Sequence, residues 1–303
     1  ERKYTIYTMN ATQLEKMHSG KGFIAALDQS GGSTPKALAL YGVPETAYKT
    51  EDEMFALVHE MRARIINAPE FASGKVIGAI LFRKTMESKI DGKFTADYLW
   101  DVKHVVPFLK VDLGLKDPSD GVRLMKDFPG LDALCKEAVG YHIFGTKERS
   151  VILSANEKGI KAVVKQQYEW AKVMIKNGLV PIIEPEVDIH IPDKKEAEAI
   201  LKTALIEEAK KLKPSEKIIF KLSLPSIDGF YSDLEKLPCC VRVVALSGGY
   251  SQDEANVILA RNPGVIASFS RALSEGLTAQ MSDAEFNKKI GASIDAIYQA
   301  SIK

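Results

Sequence analysis

The stretch 218–225, Ile-Ile-Phe-Lys-Leu-Ser-Leu-Pro, sets one lysine, Lys221, inside an apolar run of strand-forming residues. Such a run reads as a strand buried on both faces, where an unpaired ammonium is costly. Burial and cationic neighbours favour the neutral amine, which can attack a substrate carbonyl and form a Schiff base. The blander reading is a lysine near a strand end that reaches water or pairs with a carboxylate. A free lysine, with a pKa of ~10.4, is neutral in only roughly 1 copy in 2,500 at pH 7, and lowering that value by about 3 takes about 4 kcal/mol.

Charged residues recur where the other apolar runs end. Asp28 closes the run 22–28, Lys110 and Asp112 close 108–112, Lys147 and Arg149 close 142–149, and Glu184 and Glu186 close 179–187. Ser247, Gly248 and Gly249 stand at the end of the run 241–247, and Arg271 follows 265–270. Any one of these reads as a solvated rim; together they suggest a shared mouth. Lys147, with Lys110 nearby, would disfavour the ammonium form of Lys221 by like-charge repulsion. Glu184 and Glu186 lie two apart on one strand and so point to one side. One can act as general acid for carbinolamine dehydration while the other stays ionised; for Glu186 a plain salt bridge to the lysines is an equal reading. Ser247-Gly-Gly ahead of a helix start makes an anion site, with Arg271 as a clamp. Ser30, Gly32 and Ser33 make a second, helped by Lys110. A lone Ser-Gly-Gly is more often a turn, but two such loops flanking a Schiff-base lysine point to a substrate with phosphate at both ends. The five histidines, His18, His59, His104, His142 and His190, form no metal-binding pair, so a metal-dependent route is disfavoured.

Eight strands must position these groups: 22–28, 76–82, 108–112, 142–149, 179–187, 218–225, 241–247 and 265–270. Helical patterns lie between them at 51–67, 95–103, 131–139, 160–177 and 194–212, with another from 252 to the Pro263-Gly264 stop and a last one at 283–302. A short helical pattern at 12–18 precedes the first strand. Eight strands with helix-like sequence recurring between them is the count of a (β/α)₈ barrel, an α/β fold. The 303 residues suit one such domain over 1–303 with an N-terminal helical extension. An open doubly wound sheet is less favoured, because no Gly-x-Gly-x-x-Gly turn follows the first strand. The formal charge of +1 gives no global pull toward nucleic acid or membrane. Three cysteines with no spaced pair imply a reducing compartment. The expectation is cytoplasmic, or plastid if a targeting segment has been removed, since residue 1 is Glu.

The motifs resemble those of class I fructose-1,6-bisphosphate aldolase over nearly the whole chain. They are Ala-Leu-Asp-Gln-Ser-Gly-Gly-Ser at 26–33, Leu-Lys-Val-Asp at 109–112, Lys-Glu-Arg at 147–149 and Pro-Ile-Ile-Glu-Pro-Glu at 181–186. Phe-Lys-Leu at 220–222, Leu-Ser-Gly-Gly-Tyr-Ser at 246–251 and Phe-Ser-Arg-Ala at 269–272 complete the set. The resemblance implies a Schiff base on Lys221, Glu184 as the main acid and base of imine chemistry, and Asp28 acting on the C4 hydroxyl. It implies that Lys147 and Glu186 support carbinolamine turnover, and that Arg149 holds the open-chain hydroxyls or the distal phosphate. Ser247, Gly248 and Arg271 would bind phosphate on the dihydroxyacetone side, and Ser30, Ser33 and Lys110 on the glyceraldehyde side. It implies no cofactor, no metal, a small sugar bisphosphate as substrate, and no nucleic-acid or membrane partner; a homo-oligomer stays open. Three departures mark a shorter, bacterial-type branch. Gln29 stands where many members have glutamate, Leu-Ser-Leu-Pro follows Lys221, and the chain stops at Ser301-Ile-Lys303 without a tail tyrosine. A related aldolase acting on sedoheptulose 1,7-bisphosphate or a monophosphate, and a catalytically silent phosphosugar-binding protein, are the alternatives.

Overall fold

The computed structural model describes residues 9–29, 34–71 and 74–303. Eight parallel strands follow one another in chain order around a barrel. They are β1 (Phe23–Ala26), β2 (Val76–Leu81), β3 (Val106–Lys110), β4 (Gly145–Ile152), β5 (Val180–Val187), β6 (Ile218–Ser223), β7 (Cys240–Leu246) and β8 (Ile266–Ala267). The Ala26 N–H donates to the Phe269 carbonyl at 3.1 Å, which ties β1 to the chain just beyond β8 and closes the ring.

The strands read as apolar runs because both faces are covered. Inward residues, including Ile24, Phe108, Val180, Ile182, Ile219 and Val244, pack into a dry plug in the lower barrel. Met17, from the helix Ala11–Ser19, joins that plug from below. Outward residues pack against the helix layer, whose buried stripe includes Val163, Tyr168, Leu201, Leu205, Ile290, Ile294 and Ile297. Gly145 is required where β4 passes the plug: a Cβ there would lie 2.2 Å from the Val180 carbonyl and 2.7 Å from the Phe108 ring.

The outer helices start where side chains satisfy their free N–H groups. Capping boxes open Glu51–Asn67 (Thr50 with Glu53), Gln252–Ala260 (Ser251 with Glu254) and Asp283–Ser301 (Ser282 with Glu285). The helix expected at 160–177 begins earlier, at Glu157, because the Asn156 side chain accepts from the Gly159 N–H at 3.0 Å. Between β6 and β7 the helix layer thins to one turn, Ser232–Glu235; Pro225, Gly229 and Pro238 leave no room for a longer one. No helix among the described residues is long and apolar enough to cross a membrane.

One seam in the barrel bears on Lys221. The β5–β6 ladder pairs only Ile182 with Ile219 and Ile183 with Phe220. Above that point the Ser223 hydroxyl takes over, accepting from the Val187 N–H at 3.0 Å and donating to the Val187 carbonyl at 2.6 Å. Replacing Ser223 with alanine strands both buried groups of Val187 and should cost about 1–3 kcal/mol. Urea denaturation should show this as an earlier midpoint, largely recovered by Ser223→Thr; an unmoved midpoint for the alanine variant would mean that Val187 is satisfied another way.

Candidate active site

Strand alternation places the charged groups. Inward positions recur every second residue, so each strand that supplies the plug below supplies the mouth above. On β5, Val180 and Ile182 enter the plug and Glu184 and Glu186 line the cavity over it. On β6, Ile219 is followed by Lys221; on β3, Phe108 by Lys110; on β1, Ala26 by Asp28. The cavity holds about 340 Å³, within the range of small-molecule sites.

At its floor two amines and two carboxylates alternate. Lys147 Nζ lies 2.6 Å from Asp28 Oδ2 and 3.0 Å from Glu184 Oε2. Lys221 Nζ lies 3.3 Å from the other oxygen of Glu184, Oε1. All four side chains are buried. Burial alone would raise the Asp28 carboxyl, but the Lys147 and Lys221 charges outweigh it and hold the group well below the usual carboxylate range. Burial likewise opposes the Lys147 ammonium, yet Asp28 and Glu184 carry it above its ordinary value. Lys147 is therefore a fixed cation. Glu184 Oε2 is close to Lys147 but not aligned for a hydrogen bond, which leaves a buried acceptor facing the cavity.

Further up the wall, Arg149 Nε donates to Glu186 Oε2 at 2.6 Å, and Lys110 Nζ is held by both the carboxylate and the carbonyl of Asp112 at 2.9 Å. Burial disfavours the Arg149 cation, but Glu186 and the nearby carboxylates raise it above its ordinary value. Ser247 and Gly248 lie across the cavity, with Gly248 at φ +62°, where glycine is favoured. Arg271 opens the short helix Arg271–Ser274 and forms part of the wall between this cavity and a neighbouring cleft of about 470 Å³.

Ten sequence candidates share this one cavity: Asp28, Lys110, Lys147, Arg149, Glu184, Glu186, Lys221, Ser247, Gly248 and Arg271. Gly249 instead lines the neighbouring cleft. Ser30 and Ser33, with Gly32, lie outside the described residues.

Three expectations change. Lys147 and Arg149 sit inside β4 rather than at its end, because the strand runs 145–152 after His142 turns the chain at φ +61°. Lys147 and Lys110 are not bare cations beside Lys221; each is matched by carboxylates, as burial demands. The helix Gln252–Ala260 does not offer a free N-terminus to an anion, because its capping box uses it and its first turn carries Asp253 and Glu254. Sequence reasoning did not single out Ser268 and Ser270, which also line the cavity; Ser270 stands inside the motif 269–272 and Ser268 just before it. Asp112 was visible at a strand end, but its hold on Lys110 was not.

A family model described as Fructose-bisphosphate aldolase class-I matches residues 8–221. The chain belongs to the class I fructose-bisphosphate aldolase family. It is 58% identical over 295 residues to Fructose-bisphosphate aldolase class 1 of Porphyromonas gingivalis, covering 97% of this chain and 100% of the relative. The Clostridium acetobutylicum enzyme of the same name is 56% identical over 294 residues, with 97% and 100% coverage. Among solved structures, the fructose-bisphosphate aldolase of Plasmodium falciparum, solved in a ternary complex with TRAP and a small-molecule inhibitor, superposes with a TM-score of 0.74 at 20% identity. That match spans 100% of this chain and 99% of that one, and it shows the shared barrel.

In this aldolase the outward face of β4 is polar as well. Glu148, between Lys147 and Arg149, is fully buried with neither carboxyl oxygen hydrogen-bonded. Burial, then the Asp112 charge, raise its carboxyl well above the ordinary value, against a smaller pull from Lys147. It is therefore protonated in the folded chain where the unfolded chain has lost that proton. Stability contributed at low pH falls as pH rises past the usual glutamate range. Glu148→Gln should remove this loss: its thermal midpoint should gain on the parent between pH 5 and 8 and differ little near pH 4. A gain that is the same at every pH would show that Glu148 does not titrate in this way.

Proposed function

We propose that this chain reversibly cleaves D-fructose 1,6-bisphosphate to dihydroxyacetone phosphate and D-glyceraldehyde 3-phosphate through an imine on Lys221, without a metal ion. The observation that carries the reading is Glu184, one carboxylate spanning Lys221 and the fixed cation Lys147. A proton passed from Lys221 to Glu184 across the 3.3 Å contact leaves a neutral amine beside a neutral acid. The amine attacks the ketone carbon, the carbonyl π electrons move to oxygen, and a proton passes from the nitrogen to that oxygen, giving the carbinolamine. Glu184 then protonates the departing hydroxyl, which leaves as water and yields the iminium. Asp28, held ionised by Lys147, takes the proton of the C4 hydroxyl. The C3–C4 bond breaks, its electrons flow to the iminium nitrogen, and glyceraldehyde 3-phosphate departs from an enamine. Protonation of the enamine carbon and hydrolysis, with Glu184 now acting as base, return Lys221.

The wall groups fit the two ends of that substrate. Ser247, Gly248 and Arg271 follow β7 and β8, and Lys110 and Arg149 come from β3 and β4, across the barrel in strand order. Glu186 holds Arg149 in place. Among the described residues no cluster of His, Cys, Asp or Glu is arranged to hold a metal ion, and the proposal gives carbonyl activation to Lys221.

Borohydride reduction in the presence of dihydroxyacetone phosphate should attach the substrate to Lys221, read by peptide mass. Lys221→Met should lose both label and turnover, and EDTA should leave turnover unchanged. Label on another lysine, or activity lost to EDTA and restored by a divalent metal, would overturn the reading. Arg271→Ala should raise KM for the bisphosphate about 10- to 150-fold, the equivalent of one charged hydrogen-bonding contact, with a smaller change in kcat. A steady-state comparison with the parent checks it.

A further inference from the structure

Arg62 has no part in the chemistry above, yet only 2% of it is exposed. It projects from the helix Glu51–Asn67. Among the described residues its contacts are uncharged: Nη1 donates to Thr85 Oγ1 at 3.2 Å, Nη2 donates to the Gln29 carbonyl, and the guanidinium lies 4.4 Å from the centre of the Phe82 ring. Burial pushes it down to about 9, and the charge of Asp28 pulls partly the other way. A buried cation without a close counter-charge is expensive.

The three contacts share a location. Phe82 and Thr85 stand at the end of β2 and in the helix Arg83–Glu87 that follows. Gln29 is the residue after Asp28, three residues past the end of the neighbouring strand β1. Arg62 therefore pins the residue after Asp28 to the top of β2 from behind the barrel wall. On the cavity side Lys147 pulls the Asp28 carboxylate from 2.6 Å. Without a stop behind it, the strand end could follow that pull.

We propose that Arg62 is a positioning residue for Asp28: by holding the Gln29 carbonyl against the end of β2 it fixes where the Asp28 carboxylate enters the cavity, and so governs carbon–carbon cleavage but not imine formation. The inference rests on the functional reading above, in which Asp28 takes the C4 hydroxyl proton while Lys221 and Glu184 make the imine.

Two rates measured on the same variants test it: cleavage of fructose 1,6-bisphosphate, and borohydride trapping of dihydroxyacetone phosphate at Lys221, which needs no C4 proton transfer. A displacement near 1 Å costs on the order of 100-fold, so Arg62→Met should lower kcat/KM for cleavage about 100-fold and leave trapping within about 3-fold. Arg62→Lys, which can still donate to the Gln29 carbonyl, should recover most of the cleavage. Cleavage within about 3-fold of the unaltered enzyme, or cleavage and trapping falling together, would overturn the proposal. If Arg62→Met does not fold, Thr85→Val removes one of the same contacts and should lower cleavage about 10-fold with trapping unchanged; an unchanged or parallel result there overturns it equally. Failure of the unaltered enzyme to trap at Lys221 would instead strike the functional reading.

Discussion

A carboxylate out of water needs positive charge at close range, and Glu184 has two amines, one on each of its oxygens. The pairing cannot be taken apart piece by piece. Removing one partner from a buried ion pair typically costs about 3–5 kcal/mol, because the charge left behind is uncompensated. Glu184, Lys147 and Lys221 come from β5, β4 and β6, and Asp28 from just past β1, so the array exists only when the barrel is closed. Below it, the plug of Phe108, Ile182 and Ile219 keeps water out from underneath. The same dry floor that makes the charges expensive makes their mutual contacts strong.

The barrel accommodates this at specific seams. Between β5 and β6 the ladder stops just below the level of Glu184 and Lys221, and Ser223 reseals it above. On its β5 side Lys221 therefore sits where the wall is held by a side chain, while on its β7 side it keeps ladder pairing with Val244. β4 carries a heavier polar load than the other strands. Lys147 and Arg149 face inward, while buried Thr146, Glu148 and Ser150 face the helices, with Ser150 accepting from Gln167 at 2.9 Å. Each inward charge found a partner, whereas Glu148 stays neutral instead.

Much of this was legible in the chain. The apolar runs mark strands because a barrel buries both faces of its sheet, and the order of acids and amines at their ends followed from the same alternation. The boundaries were less legible. The run 142–149 looked like a strand ending on Arg149, but the turn at His142 delays it, and the strand 145–152 carries Lys147 and Arg149 in its interior. The amphipathic helix 51–67 was read from its apolar stripe, in which Arg62 next to Met61 passes for an ordinary surface charge. Only the packed structure puts that guanidinium behind Asp28.

The sequence by itself determined the fold class and the chemical types at the mouth, because hydrophobic period and residue identity are local properties. It also suggested two anion sites, Ser247-Gly-Gly with Arg271, and Ser30, Gly32 and Ser33 with Lys110. Which charges neutralise which was decided by the tertiary structure. Lys147 looked like a repelling neighbour of Lys221 and proved to be the ammonium that Asp28 and Glu184 share. Pairing depends on distances between strands far apart in the chain, and no spacing along one strand encodes them. For Lys221 the sequence offered a candidate nucleophile, and only the closed barrel set the carboxylate that stands beside it.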